Sequence, residues 1–195
     1  MKMKKIQYIL LIIVAILVSN CDTNDDGFYN NVFVDVPNLV YLDPHTTNYA
    51  VNEKLYVNAN FSRYQNENGS TLDLFKTTGA TEFAFSYVIE KQTSPTTWEV
   101  VTVNDSQLDI VSGNAQNGSY VYGICEYDTT SEYYFYRVGF PLLSAGTYRL
   151  SYGYNSGSTN SVELRSLSPA TRLILNINSL VSGLDSVGYY NFTVN

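Results

Sequence analysis

The chain has 195 residues, a hydrophobic fraction of 45% and a formal net charge of −7 at pH 7. Beyond the first five positions its basic residues are few and scattered, whereas phosphate binding needs clustered lysine and arginine, so the composition argues against a nucleic-acid partner and against electrostatic binding to anionic headgroups. The length suits one domain, or at most two small ones, with enough apolar material for a sizeable core.

Residues 1–20 have the features of a secretory signal. Lys2, Lys4 and Lys5 are followed by an apolar run over residues 6–18. A membrane-spanning helix needs roughly 20 apolar residues, so a cleaved signal is favoured over an uncleaved anchor. The run ends in LVSNC, which resembles the lipobox of bacterial lipoproteins, where the cysteine is acylated and becomes the new N-terminus. The resemblance implies cleavage before Cys21 and attachment to a membrane through lipid on Cys21 alone.

Residues 21–30 are predicted to form an acidic lipidated tether. Asp25 and Asp26 follow the cysteine closely, and this segment resembles the export signal of surface lipoproteins of the Bacteroidota. The resemblance implies an outer-membrane lipoprotein exposed at the cell surface; the alternatives are a periplasm-facing location and a plain solvated spacer. Removal of residues 1–20 takes three lysines from the eleven basic residues and no acid, which changes the formal charge from −7 to −10.

Residues 31–195 have the pattern of β-strands. Apolar and polar residues alternate over 54–61, 83–90 and 148–154, as in strands with one face toward a core. Further strands are predicted at 32–36, 98–103, 108–111, 120–127, 133–140, 162–165, 172–177 and 189–194. Clusters rich in Gly and Asn at 65–70, 113–118 and 155–160 predict turns, and no segment has a convincing helical period. The sequence therefore predicts a single all-β domain, an antiparallel β-sandwich in preference to a barrel.

Two segments, 144–150 and 186–192, share the form Ser-aliphatic-Gly-x-Tyr-x-apolar. Each resembles the tyrosine corner of immunoglobulin-like sandwiches, in which the tyrosine hydroxyl bonds to nearby backbone. The resemblance implies an immunoglobulin-like sandwich with two similar corners. It would lack a disulfide, because lipidation of Cys21 leaves Cys125 without a partner.

No residue pattern points to catalysis. The single histidine, His45, falls in a predicted loop, and Cys125 falls within a predicted strand, where we expect a small buried side chain. The sequence has neither a nucleophile elbow nor the spacing of metal ligands, so we expect no catalytic residue, metal or cofactor. A glycosidase-type pair of carboxylates that are distant in sequence is an alternative that the sequence leaves open. Glu126, Asp128 and Glu132, however, fit a solvated hairpin tip.

The segment EYYFYR at residues 132–137 places aromatic side chains on both faces of one predicted strand. Since one face fills the core, either Tyr134 with Tyr136 or Tyr133 with Phe135 lies outward or under a loop. We take Tyr134 and Tyr136 as the candidate ligand-stacking residues, because flat exposed rings suit a sugar or a protein partner. The simpler alternative is that these tyrosines reflect strand propensity alone.

These features predict a lipid-anchored, surface-exposed binding or structural module without catalysis, whose partner is a glycan or an envelope protein. In its predicted cellular location and fold class it resembles the accessory lipoproteins of nutrient-uptake systems in the Bacteroidota. An adhesin or envelope-assembly subunit is the first alternative, and a hydrolase with dispersed carboxylates is the second.

Overall fold

A computed structural model describes residues 29–153 and 158–195 of the chain. The strands are β1 (Asn30–Asp35), β2 (Val40–Leu42), β3 (Asn48–Tyr49), β4 (Lys54–Ser62), β5 (Tyr64–Glu67), β6 (Ser70–Asp73), β7 (Glu82–Ser94), β8 (Thr97–Val100), β9 (Asp109–Ser112), β10 (Asn114–Asn117), β11 (Val121–Asp128), β12 (Tyr133–Pro141), β13 (Gly146–Ser151), β14 (Ser161–Ser166), β15 (Leu173–Leu180) and β16 (Tyr189–Val194). The all-β prediction is confirmed, and the strands curl into a sandwich-like arrangement.

The main sheet has the strand order β1-β15-β14-β7-β11-β12-β4-β2. β7 belongs to both layers, because its first half pairs with β11 and β14 whereas its second half pairs with β13 and β8. From β13 the second layer continues through β16 to the short β3. Most pairs are antiparallel, as predicted, but β1 runs parallel to β15 and β3 runs parallel to β16. The alternation of apolar and polar residues along one strand does not indicate the direction of the neighbouring strand. The sequence pattern therefore did not predict the parallel pairs.

Several local features differ from the sequence expectation, among them the short strands β2, β3, β5 and β6, which were not predicted. The predicted turn at 113–118 contains a strand, β10, which pairs antiparallel with β11. At Gly113 (φ 72°) the chain leaves the side of β12 and joins β11, and a Cβ there would meet the Ile124 carbonyl oxygen at 2.4 Å. A short helix, α1 (Leu74–Thr78), was also not predicted, because five residues are too few to show a period. Asp73 caps it by accepting from the Lys76 amide at 3.0 Å.

The other turn clusters agree with the structure where it describes them. In the cluster at 65–70 the turn is confined to Asn68 and Gly69, both at positive φ, and the other residues of the cluster belong to the paired strands β5 and β6. Two central residues with positive φ match the twist of a tight hairpin, which explains the Asn-Gly pair. The cluster at 155–160 begins in a part of the chain that the structure does not describe.

Tyrosine and phenylalanine dominate the core between the layers. The largest fully buried side chains include Tyr87, Tyr134, Tyr136, Tyr148, Tyr152, Tyr190, Phe83, Phe140 and Phe192. Burying an aromatic side chain of this size stabilises a fold by roughly 1.5–3 kcal/mol relative to leaving it exposed. The hydroxyls need partners, and several find them inside: Tyr87 and Tyr136 share a 3.1 Å hydrogen bond between their hydroxyl oxygens.

The two repeated corner segments lie side by side, since β13 and β16 pair antiparallel with Tyr148 opposite Phe192. In the first segment the Tyr148 hydroxyl donates to the Ser144 carbonyl at 2.7 Å, as the pattern predicts. In the second, the Tyr190 hydroxyl instead donates to the carbonyl of Thr46, far away in the sequence. The segments are therefore alike in sequence but only the first makes the local bond of a tyrosine corner.

Candidate functional site

The orientation of β12 in the sheet determines which of its aromatic side chains a ligand can reach. Tyr134 and Tyr136 are 0% and 1% exposed and face the core, so the prediction that they stack on a ligand is wrong. Tyr134 packs face to face with Phe61 at 5.2 Å between ring centroids, and Tyr136 packs edge-on to Phe85 at 4.8 Å. Both rings are held inside by neighbours from other strands, which the pattern of β12 alone did not reveal.

The opposite face of β12 carries Tyr133, Phe135 and Arg137. Tyr133 is 40% exposed, and its ring lies 6.1 Å from that of Phe135 with an interplanar angle of 25°. In the register with β4, Phe135 lies opposite Asn60 and Arg137 lies opposite Asn58. Tyr133 with Phe135 outward is the alternative that the sequence left open. Beside these rings the face carries Arg137 and the exposed Asn60, whereas Asn58 is only 3% exposed.

Arg137 is fixed in place on this face by three contacts. Its Nη1 donates to Asn58 Oδ1 at 2.6 Å and to Asp43 Oδ2 at 2.9 Å. Its guanidinium lies 4.5 Å from the centroid of the Tyr56 ring. A planar cation that is stacked and hydrogen-bonded loses less freedom on binding a ligand than a mobile one, so Arg137 is a pre-organised donor.

The Tyr56 ring that supports Arg137 lies over Gly139 of β12, where a Cβ would meet the ring at 2.7 Å. The Tyr56 hydroxyl donates to Asp109 Oδ2 at 2.6 Å, and Lys54 Nζ donates to the same oxygen at 2.6 Å. The hydrogen bond from Lys54 lowers the pKa of Asp109 most, and the bond from Tyr56 lowers it further. Asp109 is thus an ionised acceptor that orients the ring beneath the guanidinium.

Tyr41 of β2 contributes to two shallow depressions on this side of the molecule. The Arg137 depression has a volume of about 220 Å³, and its lining includes Tyr41, Asn58, Asn60, Ser112, Phe135 and Arg137. The His45 depression has a volume of about 310 Å³, and its lining includes Asn38, Tyr41, Leu42, His45, Ser182 and Gly183. Tyr41 is 43% exposed, so its ring is accessible next to both.

Several of these residues were not singled out from the sequence. Asn58 and Asn60 occupy the outward phase of the alternating segment 54–61, so the pattern placed them on the solvent side without indicating a function. Tyr41 gave no signal, because its approach to Phe135 and Arg137 depends on the pairing of β2 with β4.

The residues weighed as catalytic candidates are not brought together: Cys125 is inaccessible, His45 lines the neighbouring depression, and Asp128 lies at a hairpin tip. Cys125 is fully buried and unpaired, and burial raises the pKa of its thiol, so it is the small core residue that was predicted. His45 is exposed, as predicted, and its ring packs 5.1 Å from that of Tyr190. Asp128 is exposed at the hairpin tip, and hydrogen bonds from the Thr130 amide and the Ser131 hydroxyl lower its pKa.

Among residues 29–153 and 158–195, no group of three or more His, Cys, Asp and Glu side chains is arranged to hold a metal ion. In the same residues no helix is long and apolar enough to cross a membrane. Cys21, Asp25 and Asp26 lie outside the described residues, so lipidation and export stay predictions.

Comparison of the chain with protein-family models and with curated proteins gives no match.

Proposed function

We propose that this chain is a lipid-anchored binding module, displayed at the cell surface, that holds carbohydrate on the outer face of β12. The observation that carries the proposal is the shared lining of the Arg137 depression, where Tyr41 and Phe135 lie with Arg137, Asn58 and Asn60. Aromatic rings offer a flat apolar surface to the C–H face of a sugar ring, and amide and guanidinium groups bond to its hydroxyls. A fixed guanidinium adds orientation.

The anchor belongs to the same proposal and is supported by the sequence of the N-terminal segment. Lipid on Cys21 would hold the module at the outer membrane, and Asp25 with Asp26 would direct it outward; a periplasm-facing location is the alternative. Replacement of Cys21 by Ala should abolish metabolic lipid labelling and release the chain from the membrane. Persistent labelling of Cys21→Ala would contradict the anchor without affecting the binding proposal.

We also propose that the sandwich is immunoglobulin-like. The support is the bond from the Tyr148 hydroxyl to the Ser144 carbonyl, four residues earlier, which is the contact of a tyrosine corner. The parallel pairs β1–β15 and β3–β16 lie at the margins of the layers, outside the strands that form this corner. An experimental structure with a different strand order around β13 would reject the relationship.

The binding proposal is tested by screening the full chain on a glycan array and titrating the best glycan. Phe135→Ala, Tyr41→Ala and Arg137→Ala should each weaken binding at least tenfold, which is about 1.4 kcal/mol. Val187→Ala is the control, because Val187 is 61% exposed and does not line the Arg137 depression, and it should bind as the parent does. Silence across the array, or binding unaffected by all three substitutions, would contradict the proposal.

An adhesin or envelope-assembly subunit remains the first alternative, and the exposed Tyr133 with the half-buried Phe135 would serve it equally well. Binding to a host-matrix or envelope protein without glycan affinity, lost in Phe135→Ala, would favour that alternative.

A hydrolase is favoured by one observation only. Glu163 lines a depression of about 300 Å³ with Tyr122 and Arg165, and burial raises the pKa of its carboxyl group. A glycosidase needs two carboxylates about 5–9.5 Å apart, and the described lining of this depression holds Glu163 alone. Turnover of a glycoside that is lost in Glu163→Gln would make the hydrolase the better proposal.

A further inference from the structure

Within the residues that the structure describes, the outermost strand β1 has one edge without a partner strand. It pairs with β15 on one side, and none of the other strands in the described part of the chain pairs with it. The backbone amide of Asn30 donates to the carbonyl of Arg172, and that of Val36 donates to the carbonyl of Asn178, both at 3.0 Å. Because alternate residues of a strand point the same way, the even-numbered residues bond to β15, and the N–H and C=O groups of Asn31, Phe33 and Asp35 point to the open side.

This edge lacks the devices that usually protect an outer strand. Residues 30–34 carry no charge and no proline, and Asp35 is the one charged residue of β1. Phe33 is 61% exposed and Val32 is 38% exposed. A strand edge with open hydrogen-bonding groups and exposed apolar side chains is a template for pairing with another strand, and proteins normally block it with lysine, proline or a bulge.

We propose that β1 pairs antiparallel with β1 of a second copy of this chain, with Phe33 opposite Phe33 across a two-fold axis. In this register Asn31 of each copy lies opposite Asp35 of the other. Residues 31, 33 and 35 all face the open side, so each of these pairs exchanges backbone hydrogen bonds. An antiparallel pair of identical strands is self-complementary, as a two-fold dimer requires.

The side chains favour this register over its neighbours. It stacks the two exposed Phe33 rings, and it places the single charge, Asp35, beside the amide of Asn31 rather than beside a carboxylate. One oxygen of Asp35 already accepts from Asn178 at 3.2 Å, which leaves the other to accept from the second copy. Shifting the register by two residues in either direction puts Phe33 opposite Asn31 or Asp35.

The contact is small, so we expect a weak dimer in dilute solution. If the chain is anchored as proposed above, copies on one membrane meet at high local concentration, which favours the pair. The strand pairing itself depends only on the geometry of β1, and it stands whether or not the Arg137 depression binds carbohydrate.

Cysteine crosslinking of the full chain in membranes tests the pairing. Opposed residues in a hydrogen-bonded antiparallel pair have Cα atoms about 5.5 Å apart, within the range that a disulfide bridges. Phe33→Cys should therefore form a disulfide-linked dimer on mild oxidation. Val187→Cys is the matched control, because Val187 is equally exposed at 61% but lies outside β1, and the parent chain controls for Cys21 and Cys125. A yield for Phe33→Cys no higher than for Val187→Cys would overturn the proposal.

The register has its own test. Co-expressed Asn31→Cys and Asp35→Cys chains should crosslink to each other, whereas Asn31→Cys alone should not; equal crosslinking of Asn31→Cys with itself would reject the register. Phe33→Lys, introduced into the co-expressed Asn31→Cys and Asp35→Cys chains, should lower the yield of their disulfide-linked dimer at matched density, because two like charges then lie opposite each other. Glycan binding should be unchanged in Phe33→Lys, so failure of the dimer and failure of the carbohydrate site are separate outcomes.

Discussion

The hydroxyl of Tyr134 donates a 2.8 Å hydrogen bond to the backbone carbonyl of Ala80, which lies between α1 and β7. The ring is fully buried and packs face to face with Phe61 and edge-on to Phe83. A buried tyrosine is costly when its hydroxyl has no partner, and this bond removes that cost. Tyr134 is therefore a core residue that ties β12 to the α1–β7 connection.

Replacing Tyr134 by Ala should destabilise the fold by about 3–5 kcal/mol, because it leaves a cavity and an unpaired carbonyl. Tyr133→Ala is the matched control one residue away, where the ring is 40% exposed, and it should change the free energy of unfolding by less than about 0.5 kcal/mol. Urea unfolding measures both. Equal losses would mean that the two faces of β12 are assigned wrongly.

The Tyr148 hydroxyl bonds to Ser144 twice, donating to its carbonyl at 2.7 Å and lying 3.0 Å from its Oγ. Tyr148→Phe should cost about 1 kcal/mol in the free energy of unfolding, since it removes these bonds and leaves the ring in place. Tyr64→Phe, at a tyrosine that is 45% exposed, should leave the urea midpoint unchanged. A Tyr148→Phe protein as stable as the parent would show that the corner bond contributes nothing.

Gly113 has φ of 72°, and a Cβ there would lie 2.4 Å from the Ile124 carbonyl oxygen. Gly113→Ala should therefore lower the free energy of unfolding by about 2 kcal/mol or more, from left-handed backbone strain and the clash together. Gly118→Ala is the comparison, because a Cβ at Gly118 meets no atom within 4 Å. Thermal or urea unfolding distinguishes the two, and a neutral Gly113→Ala would contradict the described crossing from β9 to β10.

Asp73 should make stability depend on pH. Partial burial raises the pKa of its carboxyl, but hydrogen bonds from Arg63 and the Lys76 amide outweigh this and hold the pKa below its ordinary value. Arg63 donates to both Asp73 oxygens, at 2.6 and 3.1 Å. Since the folded pKa is lower than the unfolded value of about 3.9, the stabilisation is complete above that value and is lost as the pH falls through the folded pKa.

Asp73→Asn removes the charge and keeps a residue that can cap α1. The parent should be the more stable at pH 7, and the difference in free energy of unfolding should shrink as the pH falls below about 4. Urea titrations at several pH values measure it. Arg63 also donates to Glu132 at 2.8 Å, which stays intact in this variant. A difference that is constant down to pH 2 would show that the ion pair has no part in the pH dependence.

The sequence determined the strands because alternation is local: each residue of 54–61 or 133–140 needs only its own neighbours to show a period of two. It also determined that Cys125 would be buried, since it lies in phase with apolar residues of β11, and that Asn68-Gly69 would turn a hairpin. The sequence did not predict α1 or the short strands β2, β3, β5, β6 and β10, because two to five residues give no periodic signal.

Only the tertiary structure decided which face of β12 is the inside. Aromatic side chains occupy both phases of that strand, so hydrophobicity alone gives no preference between Tyr134 with Tyr136 and Tyr133 with Phe135. The choice depends on partners distant in sequence: Ala80 and Tyr87 accept or share the hydroxyl hydrogen bonds of Tyr134 and Tyr136. The same long-range pairing brings Tyr41 beside Phe135 and Arg137. Among residues 29–153 and 158–195 it leaves one edge of β1 without a partner strand.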